Sequence, residues 1–397
     1  MTDHLVHHRS PFDDWRSISI AIYMSLVGYG VLVGIPVIST AWVEQLGFTE
    51  VQVGRVAGAD LGGLSVGAVL AALFIAQVNR RWLVVISAAI AIGANLACIV
   101  ITDYQPVLWL RFIAGFGSGV YTAVAIATLG ATSRPAWTFN LLLFAFAFTQ
   151  VGELYFLPKL SMSGIYTVFI VSYVLGLLFL KWLPSRPTER SLDVEVEHDG
   201  EIEHQHVPAY APWLVLGAIV ATYINIGAYW TYIELASADS AADPDWVGTV
   251  LVWTSGFSVL GCLFATVISD RFGLARPMLV TLVCQAIIVV MLANGINNVN
   301  IVVSMFAFNF LWIFIDVYQM ATVANMDPSG RFAALMPGAQ GLGQILGPNI
   351  AASILAAGLG YRGVFIMCGL ASLTAMAIYL LMYLRLRRQI PALADAT

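Results

Sequence analysis

The sequence predicts an all-α membrane protein: twelve transmembrane helices in two pseudo-symmetric six-helix bundles, with both termini cytoplasmic. Three observations lead there. Hydrophobic residues make up 59% of the 397 and charged residues only 10%, whereas roughly a quarter of a soluble domain is charged. Apolar runs of about 20 residues recur, the length a helix needs to cross ~30 Å of hydrocarbon. One long polar passage, from Pro184 to Pro212, divides the chain into apolar regions of nearly equal length. A β-barrel would show short alternating segments instead.

In order along the chain, residues 1–17 read as a cytoplasmic tail, polar and without a cleavable leader. Residues 18–183 form the first bundle, with spans at about 18–43, 51–78, 82–101, 106–132, 136–159 and 164–183. Residues 184–211 are a cytoplasmic linker, rich in carboxylates and histidines and read as a solvated tether. Residues 212–386 form the second bundle, with spans at about 212–236, 246–268, 275–294, 299–325, 332–358 and 362–386. Residues 387–397 are a cytoplasmic tail. With the N-terminus inside, fourteen of the Lys and Arg residues, among them Arg80, Arg81, Arg134, Arg271, Arg276, Arg331 and Arg388, fall on the cytoplasmic side. Only Lys159 and Arg362 fall outside, and that asymmetry fixes the orientation.

The halves repeat each other. Val53-Gly54, Gly62 and Gly67 match Val247-Gly248, Gly256 and Gly261 at one offset. Val120-Tyr121 and Arg134 match Val317-Tyr318 and Arg331 at a slightly larger one, which pairs Asp316 with Gly119. Ile165-Tyr166 through Phe169 matches Tyr361 through Phe365. The common order of these matches argues for duplication, and paired six-span repeats place a site at their interface near the midplane.

Ser269-Asp270-Arg271-Phe272-Gly273, followed by Arg276-Pro277, resembles the loop signature of the major facilitator superfamily between spans 8 and 9. Its first-half counterpart is degraded, with Ala76 and Gln77 in place of Asp and Arg, while Arg80 and Arg81 remain. Arg111 with Gly115 and Gly119 resembles the span-4 signature of the same family. The resemblance implies that superfamily's fold and a secondary transporter working by alternating access. It also implies a proton-coupling role for Arg111, and a cytoplasmic gate at Arg80, Arg81, Asp270, Arg271, Gly273 and Arg276. Span 5, FAFTQVGELYFLP, lacks the Gly-x-x-x-Gly-Pro of drug/proton antiporters, which weighs against an exporter. Gly343 to Gly347-Pro348 has that spacing, but in span 11.

Charges inside spans are expensive and mark function by default. Arg55, near the outer end of span 2, can snorkel to the headgroups. Glu234 sits near the outer mouth of span 7. Asp60 lies about 15 Å deep, where desolvation suits a proton carrier that is neutral on one side of the cycle and ionised on the other. Arg111 and Glu153, each about 8 Å below the outer surface on consecutive spans, are expected to meet. Arg111 then binds a carboxylate solute or holds Glu153 ionised, unless the pair is a permanent structural one. Asp316, mid-span, is a candidate for substrate contact or protonation. Proton coupling is thus assigned to Asp60, Arg111, Glu153 and Asp316. Substrate binding is assigned to Tyr29, Arg111, Tyr121, Tyr229, Trp312, Asp316, Gln340 and Gln344, the aromatics stacking on a flat solute.

Glycines repeating every four residues, Gly54, Gly58, Gly62 and again Gly115, Gly119, let helices approach closely. All histidines lie in the tail or linker, and the four cysteines lie in apolar runs without metal-ligand spacing. No P-loop, nucleophile elbow or His-Glu-x-x-His is present, so no enzyme activity, cofactor, metal or nucleic-acid partner is expected. The expected partners are a small-molecule substrate, protons and the lipid bilayer, with the chain a monomer in a plasma membrane, the bacterial inner membrane. The favoured function is proton-coupled uptake of a small organic solute, aromatic or carboxylated. Proton-antiport efflux of lipophilic compounds and a membrane sensor that moves nothing are the alternatives.

Overall fold

A computed structural model describes residues 11–75, 78–185, 208, 210–238, 240–272, 275–326 and 331–389. Twelve α-helices carry them: α1 (Trp15–Leu46), α2 (Glu50–Phe74), α3 (Arg80–Val100), α4 (Tyr104–Gly130), α5 (Pro135–Phe156), α6 (Met162–Leu178), α7 (Ala211–Ala238), α8 (Pro244–Phe272), α9 (Ala275–Val290), α10 (Asn298–Met326), α11 (Arg331–Ala356) and α12 (Gly360–Gln389). Ten are long and apolar enough to cross a membrane. The chain is a multi-pass membrane protein. Of the other two, α6 is a 17-residue apolar helix, and α11 carries Pro337 and Pro348. Most of the 184–211 linker lies outside the described residues.

Local chemistry sets the helix ends. Thr49 and Gln52 form a capping box that starts α2, each side chain bonding the other's backbone N–H at 3.3 and 2.9 Å. Asp14, Asn79 and Ser161 cap α1, α3 and α6. Gly47 ends α1 with φ 70°, a left-handed conformation that costs glycine nothing, and its N–H bonds the carbonyls of Trp42 and Val43. Trp15 meets Trp182 with ring centroids 5.4 Å apart, and the Arg80 N–H bonds the Ser185 carbonyl. The starts of α1 and α3 and the end of α6 therefore share one end of the bundle, called here the linker end.

Helix α2 is the most informative contact. Its Gly63 and Gly67 lie against the backbone of α4 at Phe112 and Phe116, while Gly115 and Gly119 of α4 lie against the carbonyls of Asp60 and Leu64. A Cβ at any of the four would collide with main chain. Gly54, Gly58 and Gly62, on another face of α2, meet Pro348, Asn349 and Ile345 of α11. The glycine stripes thus serve two seams. One lies inside the first bundle, and the other joins the bundles.

The repeat is visible in contacts. Gly67 faces the Phe116 carbonyl and Gly261 faces the Phe310 carbonyl, an offset of 194 residues on both helices of each pair. This corrects the larger offset read from Val317-Tyr318 by one helical turn. At the shared offset Asp316 corresponds to Thr122 rather than Gly119, Thr254 to Asp60, and Tyr223 to Tyr29. The bundles are not equally closed along their two seams. Gly248 and Gly256 of α8, counterparts of Gly54 and Gly62, border open space among the described residues.

Candidate functional site

Two polar centres occupy the interior, one in each bundle. In the first, Arg111 of α4 bonds Asp60 of α2 through Nη2 and Nε at 2.6 and 2.7 Å. Its Nη1 donates to Asn95 Oδ1 of α3 at 2.8 Å, and Asn95 in turn donates to the Ala91 carbonyl. The guanidinium carbon lies 5.4 Å from the Tyr166 ring centroid, and Tyr166 accepts a hydrogen bond from the Trp42 indole. Both charged side chains are 2% exposed. This is the only ion pair among the described residues. Gly115 makes it possible: its missing Cβ lets α2 and α4 cross where Asp60 sits.

The expected meeting of Arg111 with Glu153 does not occur. Glu153 lies beside Gly30 and Gly34 of α1, and its Oε2 is buried without a hydrogen bond. Chain order favoured α5 as the neighbour of Arg111, but the glycine-lined crossing of α2 on α4 places Asp60 closer. A guanidinium held by a carboxylate and an amide is also not free to bind a carboxylate solute.

In the second bundle, the Tyr223 hydroxyl of α7 lies 2.9 Å from both oxygens of Asp316 on α10 and donates to that carboxylate. Asp316 makes no ion pair among the described residues. Trp312, one turn before it, packs against Trp230 and Phe308 at 6.0 and 6.2 Å. The Tyr29 ring of α1 lies 5.5 Å from the Phe146 ring of α5, tilted by 53°. Tyr29 and its repeat counterpart Tyr223 stand on α1 and α7, helices of opposite bundles that pack against each other.

Tyr121 and Tyr229 stand elsewhere. Tyr121 is fully buried inside the first bundle, 5.0 Å from the Tyr173 ring and against Gly176. Tyr229 is fully buried inside the second, bonded to Ser304 at 2.8 Å and stacked on Phe308 at 3.8 Å. Both are enclosed within their own bundle, a placement that a count of aromatics per span does not distinguish from a cavity face. Gln344 is buried where α11 meets Gly227 of α7, and Gln340 is half-buried on the same helix.

Sequence reasoning missed the residues that join the bundles. Arg55 does not extend away to headgroups alone. Its Nη1 donates to the Asn349 carbonyl and Oδ1 at 3.1 and 2.8 Å, and its Nη2 to Ser353 Oγ at 2.9 Å, all on α11. The Tyr232 hydroxyl of α7 donates to the Glu50 carbonyl at 2.8 Å. The Trp230 indole donates to the Leu32 carbonyl at 3.1 Å. That carbonyl is free because Pro36, four residues on, has no N–H to offer it. The proline inside α1 was the available signal.

The gate residues resolve unevenly. Arg80 bonds Thr128 at 3.2 Å and lies over the Phe12 ring, and Arg81 bonds the carbonyls of Leu183 and Lys181. Both tie the first bundle to itself. Arg276 is exposed at the start of α9. Gly273 and the side chains of Asp270 and Arg271 lie outside the described residues.

A family model described as Major Facilitator Superfamily matches residues 18–336. No curated protein matches the chain. Among solved structures, the POT family transporter PepTSo superposes with a TM-score of 0.76 at 11% identity, covering 94% of this chain and 98% of that one. The D-xylose-proton symporter gives 0.71 at 14%, covering 92% and 97%. The nucleoside transporter NupG gives 0.69 at 14%, covering 92% and 98%. At these identities the likeness is one of fold.

Proposed function

The chain belongs to the major facilitator superfamily, and on that premise we propose that it is a proton-coupled symporter, moving a small organic solute by alternating access. The observation that carries the proton step is a pair of carboxyl groups that make no ion pair among the described residues. Glu153 has a buried oxygen without a partner, and Asp316 is held by the Tyr223 hydroxyl. A charge left in that position without a partner is costly. A proton or a solute group neutralises it at one stage of the cycle and leaves at another. Asp60, by contrast, already has its counter-charge in Arg111. The proton-carrying role, assigned from sequence to Asp60, Arg111, Glu153 and Asp316, therefore narrows to Glu153 and Asp316, with Asp60–Arg111 a clamp across α2, α3 and α4.

The solute site lies between Tyr29 and Tyr223, with Trp312 as an aromatic wall and Asp316 as acceptor. That lining suits a neutral, flat or hydroxylated solute. A carboxylated one loses its anchor, because Arg111 is committed elsewhere. Proteoliposomes test the reading with a panel that includes nucleosides, D-xylose and aromatic compounds. An imposed inward proton gradient should drive accumulation of one class. Asp316→Asn and Glu153→Gln should keep downhill exchange and lose accumulation. Accumulation that survives both substitutions, or an uncoupler, removes the proton step.

A further inference from the structure

A cleft of about 370 Å³ opens on the outer perimeter where α2, α4 and α11 meet. We propose that it is a binding site for one anionic phospholipid, with the phosphate on Arg55 and an acyl chain laid along the cleft. Leu108, Trp109, Phe112 and Ile345 form its walls, and Ala59 with Gly58 and Gly62 forms a floor without bulky side chains. It faces the membrane: Trp109 is 62% exposed and Ile113, beside it on α4, 43%. Its length fits the occupant. From Arg55 to Val66 along α2 is about 16 Å, close to the ~15 Å hydrocarbon depth of a single leaflet.

Charge selects the headgroup. Arg55 lies about 8 Å from the start of α2, at the depth where a long side chain reaches the headgroup region. Its partners, Asn349 and Ser353, are all neutral, and it makes no ion pair among the described residues. Ser353 is exposed, so the outer edge of the guanidinium borders the cleft mouth. A phosphate there supplies the missing negative charge.

The site is also conditional on the protein's state. The floor and one wall belong to the first bundle and the other wall to the second, so the cleft exists only while α2 and α11 are packed together. A lipid seated there stabilises that arrangement. The inference needs the cleft and the membrane fold, not the proposed proton step.

The test uses delipidated full-length protein in detergent, read by thermal unfolding and by lipid retention in native mass spectrometry. Phosphatidylglycerol should raise the melting temperature and be retained in preference to phosphatidylethanolamine. Arg55→Gln should lower that preference by about fivefold, the weight of one basic residue near a lipid surface. Ala59→Trp, which fills the floor and leaves the Arg55 bonds in place, should abolish retention of either lipid without lowering the lipid-free melting temperature. Equal retention of the two lipids by wild type, retention unchanged in Ala59→Trp, or a shift reproduced by inorganic phosphate alone overturns the proposal.

Discussion

Removing the charge of Asp60 is the sharpest perturbation the structure offers. Asp60→Asn keeps the shape of the side chain but leaves the Arg111 guanidinium in a setting 2% exposed, with Asn95 as its remaining strong acceptor. Breaking a buried pair by removing one partner costs about 3–5 kcal/mol, because the other charge stays buried and uncompensated. For a chain of this length unfolding as one unit, 4 kcal/mol corresponds to a fall in melting temperature of about 5 °C. Arg111→Gln should cost a similar amount, for the mirror reason. The double variant Asp60→Asn/Arg111→Gln replaces the charges with two amides of matching size. It should recover most of the loss, to within about 1–2 kcal/mol of wild type. The assay is thermal unfolding of purified full-length protein with each of the four chains. Losses that add in the double variant, or an Asp60→Asn loss below about 1 kcal/mol, the scale of an ordinary hydrogen bond, would refute the clamp.

Three further outcomes are expected. Trp230→Phe keeps the ring and deletes the donor to the Leu32 carbonyl, so the arrangement with α1 on α7 should weaken by about 1–3 kcal/mol. A cysteine-accessibility assay should then find α1 near Leu32 more reactive, and unchanged labelling would count against the bond. Gly54→Leu should force α2 off Pro348 and Tyr232 and raise labelling at the seam. The repeat-related Gly248→Leu, with open space around it, should change stability by no more than about 0.5 kcal/mol. Tyr223→Phe removes the hydroxyl that holds Asp316 and should lower the apparent affinity of transport more than Tyr29→Phe. An equal effect of the two would place the solute symmetrically between them.

The spans were legible because the bilayer imposes a length and a composition, and both are one-dimensional signals. The family was legible for a different reason, a loop signature and a span-4 pattern that are local in sequence. Which buried charges pair was not, because that depends on which helix faces cross. Arg111 chose α2 over α5, and the cue was in the sequence: Gly63 and Gly67 at the spacing of Gly115 and Gly119. The repeat was found, but a Val-Tyr dipeptide shifted its second part by one turn. The Gly261–Phe310 contact carries the first offset, the one that pairs Tyr29 with Tyr223, through span 10 and so moves Asp316 opposite Thr122. Tyr121 and Tyr229 show the remaining gap, since hydropathy does not say which side of a helix an aromatic ring occupies.

The proline inside α1 has a consequence for the alternating access proposed above. Pro36 leaves one peptide oxygen of its own helix unanswered, and the opposite half of the molecule answers it through Trp230. When the halves part, that oxygen sits deep in the membrane with no protein donor in reach, and the cheapest replacement is a water molecule. Separation and wetting are then a single event. The passage cannot open dry, and the first water to enter has an address at Leu32.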